Sequence, residues 1–303
     1  MEYYVGIDVG GTNIKYGLIN EEGKILEKGK RKTSSQGAII IENIEDIIVS
    51  YQATCDIKLV GVCVPGIVEK NGFLRTGGAI EDFYSYPLGE RLAAHINVPI
   101  FIENDVNCIA LAEKWRGNGK DCSSFLCVAV GTGIGGAIVI DNKLFKGAHY
   151  MAGEFGSMIV DKIYQNNTAQ AALSAKGAVG MGLVNYYEPD PQDAKQLNGK
   201  VIFELAAKGD RRAVEAVESF YHFLGVGILN LSVIIDPEKI LIGGAISNKP
   251  GFIEEVNRRI HKLKDQHVGM QNVVLPVVEA CYFNNDAGIL GAVYQALKLM
   301  RLP

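Results

Sequence analysis

Residues 128–147, VAVGTGIGGAIVIDNKLFKG, contain a glycine loop that fits two opposed folds. Gly131, Gly133 and Gly136 satisfy G-x-G-x-x-G, the turn that opens the helix of a dinucleotide-binding unit. That fingerprint requires a helix directly after it, because the helix N-terminus meets the pyrophosphate. Here Gly136 runs into Ala137-Ile138-Val139-Ile140 and then Asp141-Asn142, the pattern of a strand ending in a two-residue hairpin turn. The stretch therefore reads as strand (FLCVAV), glycine turn (GTGIGG), strand (AIVI), tight turn (DN) and a further strand (KLF).

The chain begins on the same plan. Tyr4–Asp8 reads as a strand, followed by a glycine turn, a strand at Ile14–Ile19, an NEEG turn and a third strand at Lys24–Lys28. Two copies of one supersecondary unit imply an internal duplication. A helix at 43–53, a strand at 58–64, a helix at 88–96 and a strand at 99–103 give an alternating α/β pattern and a largely parallel sheet. Further on, the spacing predicts helices at 170–188, 199–207, 211–231 and 251–263. It also predicts strands at 239–244 and in VVLPVVEA, and a terminal helix in DAGILGAVYQALKLM. A chain of 303 residues is long for one core and favours two lobes with a cleft between them, the boundary falling near 116–121 at RGNGKD.

Composition narrows the function classes. Hydrophobic residues make up 48% and charged ones 21%, the balance of a folded globular protein. A net charge of -4 offers no general attraction for nucleic acid or an anionic membrane. The start MEYYVGIDVGG lacks the basic and apolar regions of a secretion signal, and no apolar run is expected to reach the length of a membrane span, so a cytoplasmic protein is expected. Six cysteines without C-x-x-C pairs read as buried free thiols, and five dispersed histidines show no zinc cluster.

Chemistry concentrates at five places. Asp8-Val9-Gly10-Gly11-Thr12 joins two strands and is either a plain structural hairpin or an anion site: the glycines permit a sharp turn with unshielded amides suited to an anion, and an Asp there can hold a hydrated Mg²⁺. The second turn has Gly131, Thr132, Gly133, Gly135 and Gly136 but no acid, and two related turns could grip a polyphosphate from opposite sides. No G-x-x-x-x-G-K-[ST] is present, so this is not a P-loop. In IENDVNCIALAE, Asp105 is either a base for phosphoryl transfer or part of a helix N-cap with Asn104. Glu154, between glycines in AGEFG, is either a sugar-hydroxyl acceptor or a solvated turn acid. Gly243 and Gly244 follow a buried strand, where adenine could lie on bare backbone, or form a plain turn. His149 and Trp115 read as surface or packing residues.

Taken in order, GIDVGGTNIK, GVCVPGIV, IENDVNCIALAEKW, VAVGTGIGGAIV, GAHYMAGEFG and ILIGGAIS resemble the ROK family of sugar kinases and related repressors, from residue 5 to about 295. The resemblance implies an actin-like ATPase (ribonuclease H-like) fold of two duplicated α/β lobes closing over ATP and Mg²⁺. It places residues 1–118 with 286–303 in one lobe and 119–285 in the other. It implies phosphate loops at Asp8, Gly10, Gly11 and Thr12 and at Gly131–Gly136, and adenosine at Gly243 and Gly244. Asn104, Asp105 and Glu154 match sugar-contacting positions, with Asp105 the base that accepts the proton of a primary hydroxyl at C6. A homodimer is expected.

One departure shapes the substrate. The family's His after GEFG is Ser157 here, no cysteine follows in DKIYQNNTAQAALS, and the position of a sugar-binding Glu becomes Gln170, so no structural zinc is expected. A zinc-free chain with GGAIEDF, in which Gly78 would line the sugar, is similar to the bacterial β-glucoside kinase branch, where the open anomeric end admits an aglycone. Glucose and N-acetylmannosamine stay open as substrates. A sugar-responsive repressor would need a DNA-reading module ahead of the first strand, and a chaperone or filament protein of the same fold would leave Asp105 as a cap only.

Overall fold

Two five-stranded sheets carry the chain and share one plan. The first contains β1 (Tyr3–Val9), β2 (Asn13–Asn20), β3 (Ile25–Lys32), β4 (Ile57–Val64) and β5 (Ile100–Asn104) in the order β3-β2-β1-β4-β5. The second contains β6 (Phe125–Val130), β7 (Ile134–Ile140), β8 (Lys143–Leu144), β9 (Lys239–Gly243) and β10 (Val277–Ala280) in the order β8-β7-β6-β9-β10. In each sheet the first two strands form an antiparallel hairpin and the later two add in parallel. This computed structural model describes residues 2–195 and 197–300. Contacts divide the chain into two units. One holds the chain up to Asp121, Leu144–Ala152 and the chain from Tyr282; the other holds Cys122–Lys143 and Gly153–Cys281.

In the first unit, α1 (Gly37–Gln52) buries Ile40, Ile44, Ile47, Ile48 and Tyr51, the i, i+4, i+7, i+8 stripe of an amphipathic helix. Each of these isoleucines contributes on the order of 2 kcal/mol of apolar burial. The helix starts earlier than its expected 43–53, because the β-branched run Ile39-Ile40-Ile41 carries little helix signal. α2 (Leu88–Ala93) is a short connector, and α3 (Asp105–Arg116) follows β5 directly.

The second unit departs from expectation at 170–188. Instead of one helix there are α4 (Leu173–Gly177), a break at extended Ala178, a π-helical turn at Val179–Val184 and α5 (Asn185–Tyr187). Gly177, Gly180 and Gly182 weaken the helical ladder there, and the backbone of Gly180 lies against Thr132. α6 (Pro191–Ala194) precedes α7 (Gly199–Ala207) and α8 (Arg211–Ile235), whose N-caps are Asn198 and Asp210; α9 (Phe252–Gln266) completes the unit's helices. Contrary to expectation, α8 is long and apolar enough to cross a membrane by length and composition. Its buried stripe, including Phe220, Leu224, Ile228 and Leu231, is that of a core helix, packed on α4, α7 and α9.

α10 (Ala287–Met300) returns to the first unit and packs on β1, β4 and α3. The approach is backbone to backbone: a Cβ on Gly61 would fall on the main chain of Ala292, and one on Gly291 on the carbonyl of Cys108. Trp115 stacks on Tyr294 of this helix with ring centroids 5.2 Å apart, a packing role. All six cysteines are free thiols, buried except for the partly exposed Cys55.

Candidate functional site

The two hairpin turns share a polarity. At the first, the Thr33 hydroxyl donates to the Gly10 carbonyl (2.6 Å) and the Thr33 amide donates to the Thr12 carbonyl (3.0 Å). At the second, the amides of Val179 and Gly180 donate to the Gly131 carbonyl, and that of Met181 donates to the Thr132 carbonyl. Carbonyl oxygens are thus tied into the protein, while the amides of Gly11, Thr12, Thr132 and Gly133 have no acceptor among the described residues. Main-chain amides left without acceptors beside satisfied carbonyls make an anion cradle.

The expected reason for the glycines needs correcting. None of Gly10, Gly11, Gly131, Gly133, Gly135 and Gly136 has a φ in the left-handed region, so the turns do not need glycine for their backbone shape. What the glycines of the turns supply is bare surface: a Cβ at Gly131 would meet nothing within 4 Å. The second turn is also shorter than expected. It closes at Gly133, and Gly135 and Gly136 lie in β7, where Gly136 is packed under the ring of Phe155.

Asp8 stands beside the first turn in a polar row across the sheet. In register, Lys15 on β2, Asp8 on β1, Cys63 on β4 and Glu103 on β5 are successive neighbours. Burial pushes the Asp8 carboxyl up from its ordinary pKa, against the opposing pull of the Lys15 ammonium at 3.7 Å and the Cys63 thiol at 3.4 Å. A buried carboxylate only partly compensated gains from a further cation, which fits a magnesium site. The first turn of α10 closes over it, with Gly288 against the carboxylate.

Asn104 and Asp105 occupy different positions at the start of α3, which resolves the capping question. Asn104 is the N-cap: its Oδ1 accepts from the amides of Val106 and Asn107, and its Nδ2 donates to the Gly66 carbonyl and to Asp105 Oδ1. Those four bonds use the whole capacity of the Asn104 amide, so it positions Asp105. Asp105 is the first helical residue and is oriented by Asn104 and the Val106 amide through Oδ1. Gly78, with φ of +56°, abuts Pro65 and Gly66 and so joins this cluster. Glu154 lies in the second unit at the head of a short 3₁₀ turn. It keeps much of its surface in solvent, while the protein around its carboxyl pushes its pKa upward.

A cavity of about 1090 Å³ opens inside the second unit, beside Gly131 and Thr132. Its walls are largely apolar and include Val179, Met181, Phe203 and Ile246, with Lys249 over the Phe203 ring at 4.7 Å. This is room for a flat heterocycle next to the anion cradle. Gly243 and Gly244 do not line it; the wall begins at Ala245, and Gly244, with φ of +95°, makes the turn behind it against Val130. Sequence reading missed the 179–203 wall, because its apolar residues read as ordinary helix core. In the cysteine-free segment after Ser157, Ile159 and Ala172 form an isolated antiparallel bridge and Asp161 is bonded to Lys176 at 2.7 Å. Among the described residues no group of three or more His, Cys, Asp or Glu side chains could hold a metal.

Residues 4–298 match the sequence profile of the ROK family. A β-glucoside kinase of Listeria monocytogenes is 33% identical over 293 residues, 96% of either chain. Among solved structures, a ROK family protein from Streptococcus pneumoniae in complex with sucrose superposes with a TM-score of 0.86 at 29% identity, covering 99% of both chains. A ROK glucokinase from Streptomyces griseus, in complex with glucose and AMPPNP, gives 0.81 at 26% identity over 98% of this chain and 99% of that one. The duplicated sheets are those of the actin-like ATPase fold. Matched from residue 4 to residue 298, this chain belongs to the ROK family.

Proposed function

We propose that the protein is an ATP-dependent sugar kinase that phosphorylates the C6 hydroxyl of a β-glucoside, with Asp105 as the base. The observation that carries this reading is the pair of turns whose amides lack acceptors, one next to a buried carboxylate and one next to an apolar cavity. Asp105 accepts the proton of the sugar hydroxyl as its oxygen forms a bond to the γ-phosphorus and the bond to the ADP oxygen breaks. Its Oδ1 is held by two hydrogen bonds, which fixes the carboxylate for that transfer. The amides of Gly11, Thr12, Thr132 and Gly133 stabilise phosphate charge without reorganising. Asp8 would hold Mg²⁺, which supplies neutralisation of phosphate charge when bound. Glu154 accepts from sugar hydroxyls, Gly78 gives the sugar a bare edge, and the nucleoside rests in the cavity by Phe203. Similarity to a β-glucoside kinase, and Ser157 and Gln170 in place of His and Glu, favour an acceptor with a second group at the anomeric oxygen. The working protein is proposed to be a cytoplasmic homodimer without zinc, acting on neither nucleic acid nor membrane.

The test is Mg²⁺- and sugar-dependent ADP release with cellobiose, gentiobiose, glucose and N-acetylmannosamine, for the wild type and Asp105→Asn, alongside thermal unfolding. The reading expects disaccharide-stimulated release that the variant loses by about 10³-fold at an unchanged melting temperature. A preference for free glucose or N-acetylmannosamine moves the substrate to that sugar. An Asp105→Asn protein that turns over like the wild type ends the role of Asp105, and release that no sugar stimulates ends the kinase reading.

A further inference from the structure

Glu103, one residue before the N-cap of α3, is a carboxylate with 2% exposure on which four donors converge. They are the Asn104 amide (2.9 Å), Asn107 Nδ2 (2.9 Å), Lys146 Nζ (3.0 Å) and Gln295 Nε2 of α10 (3.2 Å). Lys146 is the only cation among these donors. It comes from residues 144–152, which belong to the first unit although the chain on both sides belongs to the second. That segment is folded on itself: the Ala152 amide donates to the Lys146 carbonyl, Gly147 has φ of +70° against Ala152, and the Lys146 ammonium lies over the Tyr150 ring.

We infer that Lys146 is a positioning residue for phosphoryl transfer: by clamping Glu103 it fixes Asn104, and through Asn104 the carboxylate of Asp105. The inference rests on the kinase reading and on Asp105 as base. The route is short. Glu103 holds the Asn104 amide and the Asn107 side chain in the first turn of α3, and Asn104 Nδ2 holds Asp105 Oδ1. Without the ammonium, a buried carboxylate is left two residues from Asp105 with neutral donors only, and it relaxes by moving that turn. A misplacement near 1 Å is enough to cost about 10²-fold in turnover.

The test uses the full chain and four variants: Lys146→Met, Lys146→Arg, Glu103→Gln and the Glu103→Gln/Lys146→Met double. Turnover is expressed per site titrated with an ATP analogue, and thermal unfolding is followed in parallel. The expected result for Lys146→Met is kcat lower by about 10- to 100-fold with the KM for ATP within about twofold, and recovery of most of the loss in Lys146→Arg. The double variant should lose no more than the worse single one, because the pair acts as a unit. If Lys146→Met does not fold, Glu103→Gln gives the same kcat and KM comparison. Wild-type kcat in Lys146→Met, losses that vanish per titrated site, or additive losses in the double overturn the inference alone. A wild type without sugar-dependent turnover overturns the kinase reading and the inference with it.

Discussion

Gly288→Ala isolates the placement of Asp8 from the stability of the fold. Gly288 lies in the first turn of α10 with a φ outside the left-handed region, so alanine suits its backbone and gains up to about 1 kcal/mol of helix propensity. Its new Cβ, however, would stand 2.7 Å from Asp8 Cγ, 2.9 Å from Oδ2 and 3.0 Å from Oδ1. Ordinary contact is near 3.5 Å, so the carboxylate carbon must withdraw by roughly 0.8 Å. The Cys63 thiol at 3.4 Å and the Lys15 ammonium at 3.7 Å stand beside it, so the whole carboxylate shifts and its contacts with them change. If 1 Å of misplacement costs about 10²-fold, roughly 0.8 Å costs about 40-fold, or ~2 kcal/mol of transition-state stabilisation. The assay is kcat against Mg²⁺ concentration with saturating ATP and sugar, beside a melting curve. The expected variant melts close to the wild type, because the gain in helix propensity offsets the displaced carboxylate, turns over about 40-fold more slowly and needs more Mg²⁺. Wild-type turnover and Mg²⁺ dependence would refute the reasoning, as would a fall in melting temperature large enough to explain the loss.

Two further outcomes follow from packing and charge. Gly136→Ala drives a methyl into the buried Phe155 ring and the Gly153 carbonyl, and should cost about 3 kcal/mol and several degrees in the melting temperature; a melt coincident with the wild type would contradict that contact. Glu255 on α9 is held down to a pKa of about 2, chiefly by its hydrogen bond with Arg258 and also by Arg259, which reaches across to Glu218 of α8. Because the folded value lies below the ordinary 4.5, this stability is present above pH 4.5 and is lost as pH falls towards 2. The groups are solvent-screened, so the contribution is ~1 kcal/mol, and Glu255→Gln should flatten the acid limb of stability over that range in stepwise acid unfolding.

The hairpins were legible because period-two alternation and Asp141-Asn142, both at positive φ, are local signals. The duplication followed from comparing two such local units. What escaped the sequence is non-local. Residues 170–188 carry enough apolar periodicity for one helix, yet the contacts of Gly180 with Thr132 and the extended Ala178 decide the break. Lys146 reads as a loop lysine until Glu103, 43 positions away, is seen to be buried beneath it. Asn104 and Asp105 were legible as a pair but not in their division of labour, because the two capping bonds depend on the exact backbone angle at the end of β5.

Gly131 has open space where its side chain would be, and no unusual backbone angle demands glycine there. A larger residue at that position would therefore pass every assay of expression, solubility and melting. If the turn holds a polyphosphate as proposed, its effect would appear only with that ligand bound, because the phosphates would need the same space. Screens that rank variants by folding alone would score it as benign, and under the proposed function the constraint on this glycine would belong to the ligand rather than to the polypeptide.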